Sequence, residues 1–216
     1  IKSKLLDPLK DPDENVGGFS DPDLDPISTT DTVIALCDAG ILKNVATEPV
    51  TRPQRFSELV IVVDFSKHES DSKFNYSHIV QTADHAKAQG IKFPPIDFKK
   101  LLNSPPKELL VFESHDDDCP TVLWFTLCTK EFRNLEDYKP RSSVKPPDDK
   151  AFTDFSVFGS GTSYGTLNFS YTDYQFDQLR ELMHFNVTSN IEVVKTHLAK
   201  AVEKKKRRLQ KYLSKI

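Results

Sequence analysis

Two carboxylates close two apolar runs in the stretch TVIALCDAGILKNVATEPVTRPQRFSELVIVVDFS, Asp38 after TVIALC and Asp64 after LVIVV. Near-continuous Val, Ile and Leu runs mark strands covered on both faces, and ligands and catalytic groups gather where such strands end. Asp38, followed by Ala39 and Gly40, is the candidate catalytic residue. A carboxylate alone does not open an ester; it needs a nucleophile whose proton it can take. In water an aspartate, with a reference pKa near ~3.9, is a poor base, and apolar neighbours such as TVIALC improve it by disfavouring its charge. The strand-and-turn pattern by itself favours an Asp38 that merely caps the helix or turn after the strand. For Asp64, and for Arg52 and Arg55, the expected roles are structural: turn formation and ion pairing near the sheet edge.

Other chemistry-bearing patterns fit their contexts less well. Gly161-Thr162-Ser163-Tyr164-Gly165 matches G-x-S-x-G by letter, with Asp173 or Asp177 and then His184 following in triad order. A nucleophile elbow requires an apolar strand before the serine and a helix directly after it. Here FGSG precedes and the strand-like TLNFSY follows, so a glycine-rich turn is expected and His184 is expected to pack within its helix. Val16-Gly17-Gly18-Phe19 lies in an acidic linker and reads as a turn rather than an oxyanion loop. The segment from Asp11 resembles a calcium loop, but glycine is one place late and Pro22 stands where a bidentate Glu belongs. His115-Asp116-Asp117-Asp118 reads as a surface turn between two strands.

The elements that must position these residues follow from periodicity and composition. Residues 1–31 are rich in Asp and Pro and are expected to form a solvated linker, with residues 32–216 as one folded part. A helix is predicted from Tyr76 to Gln89, closed by Gly90; strands from Leu109 to Phe112 and Thr121 to Leu127; a surface loop over 139–150; and helices from Tyr174 to Phe185 and from Asn190 onward. Ile191, Val194, Leu198 and Val202 share a helical face, which predicts docking on a core. Strands alternating with helices predict an α/β domain with a mixed or largely parallel sheet. The chain opens on Ile1 and its only methionine is Met183, so it is read as the C-terminal part of a longer protein.

Composition narrows the partners. With 38% hydrophobic and 28% charged residues and a net charge of −3, the chain lacks the basic excess that nucleic-acid binding requires. No apolar run approaches the ~20 residues needed to span a bilayer, so membrane contact would be peripheral. The cluster Lys204, Lys205, Lys206, Arg207 and Arg208 either complements a helix C-terminus or meets anionic headgroups. Cys37, Cys119 and Cys128 lack metal or disulfide spacing, which fits a reducing compartment; sequons at Asn75, Asn168 and Asn186 would matter in a secreted protein.

LCDAGILKN, RPQR (Arg52 to Arg55), LVIVVDFS, GIKFPPID, CPTVLWFTL and FDQLRELMHFNVTSNIEVVK, in this order over about residues 32 to 200, together resemble the C-terminal half of the catalytic domain of the cytosolic, group IV phospholipase A2 family. The resemblance implies a patatin-like α/β serine hydrolase with a mixed central sheet flanked by helices, cleaving the sn-2 acyl ester of membrane glycerophospholipids, with lysophospholipase activity as well. It implies a Ser-Asp dyad whose Asp lies in an L-x-D-x-G context matched by Leu36, Asp38 and Gly40, and whose serine lies upstream of this chain. No cofactor is expected in the chain; calcium would act through a separate N-terminal lipid-binding domain. Cytosolic residence with reversible membrane association is implied. The alternatives are a non-catalytic lipid- or protein-binding module on the same fold, and a secreted lysophospholipase.

Overall fold

A computed structural model describes residues 43–141, 150–165 and 167–214. Asp38, Cys37, the linker 1–31 with its VGGF and calcium-like segments, and most of the loop 139–150 lie outside the described residues. The chain divides into two compact units, Ile1–Ser57 with Ser77–Phe93, and Glu58–Tyr76 with Pro94–Ile216.

In the first unit a short helix α1 (Glu48–Thr51) precedes α2 (Ser77–Ala88). Gly90 ends α2 as predicted: its φ of 66° lies in the left-handed region open to glycine, while Ile91 N donates back to Ala86 O at 2.8 Å.

The second unit is built on a three-stranded sheet in the order β1 (Leu59–Asp64), β3 (Thr121–Thr126), β2 (Leu109–Phe112). β1 pairs with β3 in parallel, from Leu59 opposite Thr121 to Asp64 opposite Thr126, and β2 pairs with β3 antiparallel. The sheet is therefore mixed, as expected, and each strand lies within a run singled out by its residues. The central strand is covered on both faces: Val122, Leu123, Trp124 and Phe125 are all buried. β1 alternates instead, with Val60, Val62 and Asp64 buried and Ile61 and Val63 about half exposed, so the two-sided burial expected of LVIVV is not met among the described residues. The stretch 167–171, expected to be strand-like, has no strand, and Leu167 and Phe169 are largely exposed.

Helix α4 (Asp173–Ser189) begins with a capping box, in which Thr172 Oγ1 accepts from Gln175 N and Gln175 Oε1 accepts from Thr172 N. Its buried face is polar: Asp177, Gln178, Glu181 and Asn186 lie beside Leu182. Each is supplied with partners. Gln178 Nε2 donates to Phe152 O at 3.0 Å, and Asn186 Nδ2 donates to Thr126 O and Cys128 O where β3 ends. Glu181, fully buried, accepts from Tyr138 Oη at 2.6 Å and pairs with Arg141 and Arg180, both at 3.1 Å. Burial alone would raise the Glu181 carboxyl; the hydrogen bonds from Tyr138, Arg141 and Arg180 outweigh it and hold the group below the ordinary carboxylate range.

Helix α5 (Ile191–Leu213) corrects the predicted docking face. Its buried residues are His197 and Ala201, continued by the half-buried Lys204 and Arg208, whereas Ile191, Leu198 and Val202 are exposed and only Val194 is half-buried. The alkyl stems of Lys204 and Arg208 cover the surface that apolar residues were expected to cover, and their charged ends reach acceptors beyond it. No helix among the described residues is long and apolar enough to cross a membrane.

Glu181→Gln keeps the shape but loses the charge, so it should lower unfolding stability by ~2 kcal/mol near neutral pH. A folded-state pKa below the unfolded ~4.3 contributes stability above that value and loses it as pH falls. The gap between wild type and variant should close on acidification through the folded-state pKa, as followed by denaturant melts at a series of pH values.

Candidate functional site

Lys43, five residues beyond the candidate catalytic Asp38, opens the described part of the first unit. Its Nζ pairs with Glu48 Oε1, which also meets His85 Nδ1 at 2.6 Å, so a carboxylate at the start of α1 joins Lys43 to α2. Burial opposes charge on Glu48, yet hydrogen bonds from Lys43 and His85 hold its carboxyl below the usual range. Thr82 Oγ1 adds a donor to Val45 O at 3.3 Å. These contacts fasten residues 43–48 to α2. Sequence reading missed them because Lys43 and Glu48 lie in a non-periodic segment and His85 is 42 and 37 residues away from them. The ion pairing expected of Arg52 and Arg55 is not found among the described residues, and Arg52 Nε is buried without a partner there.

Asp64 takes the structural role expected of it. Buried at the end of β1, it accepts from Trp124 Nε1 and from Ser66 N, both at 2.8 Å. One oxygen ties β1 to β3 and the other shapes the turn leaving β1.

Around the end of β3 the Tyr76 hydroxyl, Thr129 Oγ1, Asn186 Oδ1 and Glu108 Oε1 are buried without a hydrogen-bond partner among the described residues. Burial pushes the Tyr76 hydroxyl and the Cys128 thiol both up to about 12. Such a thiol stays protonated and is not a nucleophile at neutral pH. Asn186 is fully buried and spends its amide nitrogen on two carbonyls, so it accepts no glycan and the sequon there is not usable.

Ser163 lies on a turn, as expected, and lines an open pocket of about 430 Å³ with Ser156, Thr162, Tyr164, Gln175 and Gln178. Tyr164 Oη donates to Gln178 Oε1 at 2.8 Å and to Gln175 O at 3.1 Å, and burial raises its pKa. Among the described residues no strand directly precedes Ser163, and α4 begins ten residues later. Asp177 is buried against Arg180 at 3.0 Å, and His184 is exposed on α4 rather than packed as expected. No hydrogen bond joins Ser163 to Asp173, Asp177 or His184. The triad order in the letters is not a triad in space.

The basic cluster divides. Lys204 Nζ donates to Cys119 O at 2.6 Å, and Arg208 donates to Asp117 O at 2.9 Å while pairing with Glu58 Oε1 at 2.9 Å. The acidic turn of residues 115–118 thus receives α5, and the turn is held internally by Asp118 N donating to Asp116 Oδ1 at 2.8 Å. Arg207 lies 3.6 Å from Asp117 and Lys206 pairs with Glu203, while Lys205 is exposed. Among the described residues no group of three or more His, Cys, Asp or Glu side chains converges on a metal site.

Comparison with known proteins finds relatives of this mixed sheet and its helices. The chain is 28% identical over 190 residues to cytosolic phospholipase A2 zeta of Mus musculus, covering 88% of this chain and 21% of that protein. No family model matches. Its fold matches human GIVD cytosolic phospholipase A2 with a TM-score of 0.64 at 22% identity, over 79% of this chain and 22% of that one. The same human protein in complex with methyl γ-linolenyl fluorophosphonate matches with a TM-score of 0.61 over 81% of the chain. The resemblance to group IV cytosolic phospholipase A2 and the patatin-like α/β class expected from the sequence are both borne out. The chain spans about a fifth of the length of the curated relative it matches.

Asp64→Asn should turn an amide N–H toward the Trp124 or Ser66 donor and lower stability by ~1–3 kcal/mol, read by denaturant melts of the full-length protein. Ser163→Ala should leave both stability and any ester hydrolysis unchanged within error.

Proposed function

We propose that this chain contributes the base-bearing half of a phospholipase A2 catalytic domain, with Asp38 accepting the proton of a serine supplied from outside residues 1–216. The observation that carries the reading is the alignment of 88% of the chain with a cytosolic phospholipase A2, supported by the fold match to a second one. The substrate is the sn-2 acyl ester of membrane glycerophospholipids. The serine hydroxyl attacks the ester carbonyl as Asp38 takes its proton; that proton then passes to the departing lysophospholipid oxygen, leaving an acyl-enzyme for water to open. Attack on the remaining ester of the lysophospholipid is the second activity of the same site. The Lys43–Glu48–His85 anchor serves to hold the segment following Asp38 in place.

The protein works from the cytosol and meets membranes reversibly. Buried free Cys119 and Cys128 and the buried Asn186 sequon favour this over the secreted reading. Any calcium dependence belongs to a separate lipid-binding domain. Of the basic cluster, Lys205, Lys206 and Arg207 are the residues available to anionic headgroups, since Lys204 and Arg208 are committed to the acidic turn and Glu58.

The test is to give the full-length protein a phospholipid carrying distinguishable acyl chains at sn-1 and sn-2. Release of the sn-2 chain first, and a fall of ~10² to 10⁴ in that release on Asp38→Asn at equal folded fraction, is expected. Release no faster than from heat-inactivated protein would refute the reading.

A further inference from the structure

The pocket beside Ser163 has fastened walls and unused lining groups. On one side the Asp71 carboxylate, its side chain only 9% exposed, accepts from Val157 N at 3.2 Å, Phe158 N at 2.8 Å and Arg133 Nη2 at 2.6 Å. Arg133 Nε donates to Phe155 O and its Nη2 to Ser156 Oγ, both at 2.8 Å, so residues 155–158 are clamped. On the other side the buried Gln178 donates to Phe152 O and accepts from Tyr164 Oη, and Thr162 Oγ1 donates to Val157 O at 3.1 Å. A site held in shape before its ligand arrives loses little ordering entropy on binding. At about 430 Å³ the pocket falls within the range of about 300–1,000 Å³ usual for small-molecule sites.

The lining selects the ligand. Phe155, Tyr164 and Tyr174 bring three rings to it, the first two 5.6 Å apart between centroids. Ser160 and Ser163 are exposed there, and their hydroxyls make no hydrogen bond among the described residues. Lys150 and Asp154 also line the pocket and form no ion pair among the described residues. Asp154 disfavours an anion and Lys150 a cation, so the pair selects a neutral ligand. A hydroxyl both donates and accepts, so two hydroxyls beside one ammonium and one carboxylate match a ligand whose own groups do both. An apolar ligand would bury these groups unpaired. The rings add a flat apolar surface, which suits the C–H face of a saturated ring.

We propose that this pocket binds a neutral cyclic polyol of the pyranose or inositol class, with its C–H face on an aromatic ring and its hydroxyls shared among Ser160, Ser163, Lys150 and Asp154. Such a polyol comes either free in solution or as the headgroup of an uncharged glycolipid, and both present the same chemistry to the pocket. The inference concerns the second unit alone and does not depend on Asp38 or on ester hydrolysis.

The experiment uses the full-length protein in two arms. In solution it is titrated with methyl glucoside, methyl galactoside and myo-inositol, followed by saturation-transfer NMR of the ligand. At a surface it is sedimented with phosphatidylcholine vesicles with or without a monoglucosyl diacylglycerol. Saturable binding in at least one arm is expected, and in solution the three polyols should differ several-fold in affinity, because their hydroxyls point differently and hydrogen bonds are directional. Binding in solution assigns a free polyol; binding only to glucosyl vesicles assigns the lipid. Ser163→Phe, which sets a ring into the pocket from an exposed turn, should abolish the signal, and S160A with S163A should weaken it ~10-fold at an unchanged thermal melt. The double alanine variant decides the matter if the phenylalanine variant does not fold. Binding in neither arm, binding unaffected by the substitutions, an equal response to all three polyols, or tighter binding of adenosine than of any polyol would overturn the proposal.

Discussion

The hydrogen bond from Trp124 to Asp64 is the constraint on which the second unit turns. It crosses the parallel pair at the ends of β1 and β3, with both partners buried and the carboxylate's other oxygen capturing Ser66 N. A buried carboxylate without donors would be strongly unfavourable; with two, it fixes where β1 stops and how the chain leaves the sheet. The strand end beside it is closed by Asn186, whose amide satisfies the carbonyls of Thr126 and Cys128. Strand ends that would otherwise present unpaired backbone are thus finished by side chains from a helix and a neighbouring strand.

The same logic explains how α4 and α5 attach. Neither docks mainly through a broad apolar stripe. α4 presents Gln178, Glu181 and Asn186, each bonded to groups beyond the helix, and α5 presents His197 and Ala201 followed by two basic side chains that reach backbone carbonyls. Polar docking of this kind fixes position narrowly, since each bond has a distance and a direction, whereas apolar contact tolerates sliding.

This also accounts for what could be read from the residues. The strands β2 and β3, helix α2 and its closure at Gly90 were legible because short apolar runs and a glycine stop carry local signals. The docked face of α5 was not, because hydrophobic periodicity cannot register a lysine stem and an arginine fork used as packing surface. Asp64 was legible as a strand-end carboxylate with a structural role, though its partner Trp124 was not, being 60 residues distant. The GTSYG pentapeptide illustrates the limit of letters: the motif's meaning lies in the strand and helix around it, and neither flanks Ser163. Asp38 stands on the resemblance and on its position after an apolar run.

The central claim, that two similar carboxylates divide into a base and a brace, is tested most directly by the rate at which a fluorophosphonate, a reagent that phosphonylates activated serine hydroxyls, labels the full-length protein. The account predicts a label on a serine outside residues 1–216, slowed ~10² to 10⁴-fold per folded molecule by Asp38→Asn and unchanged per folded molecule by Asp64→Asn. A label on Ser163, or equal slowing by the two substitutions, would contradict it.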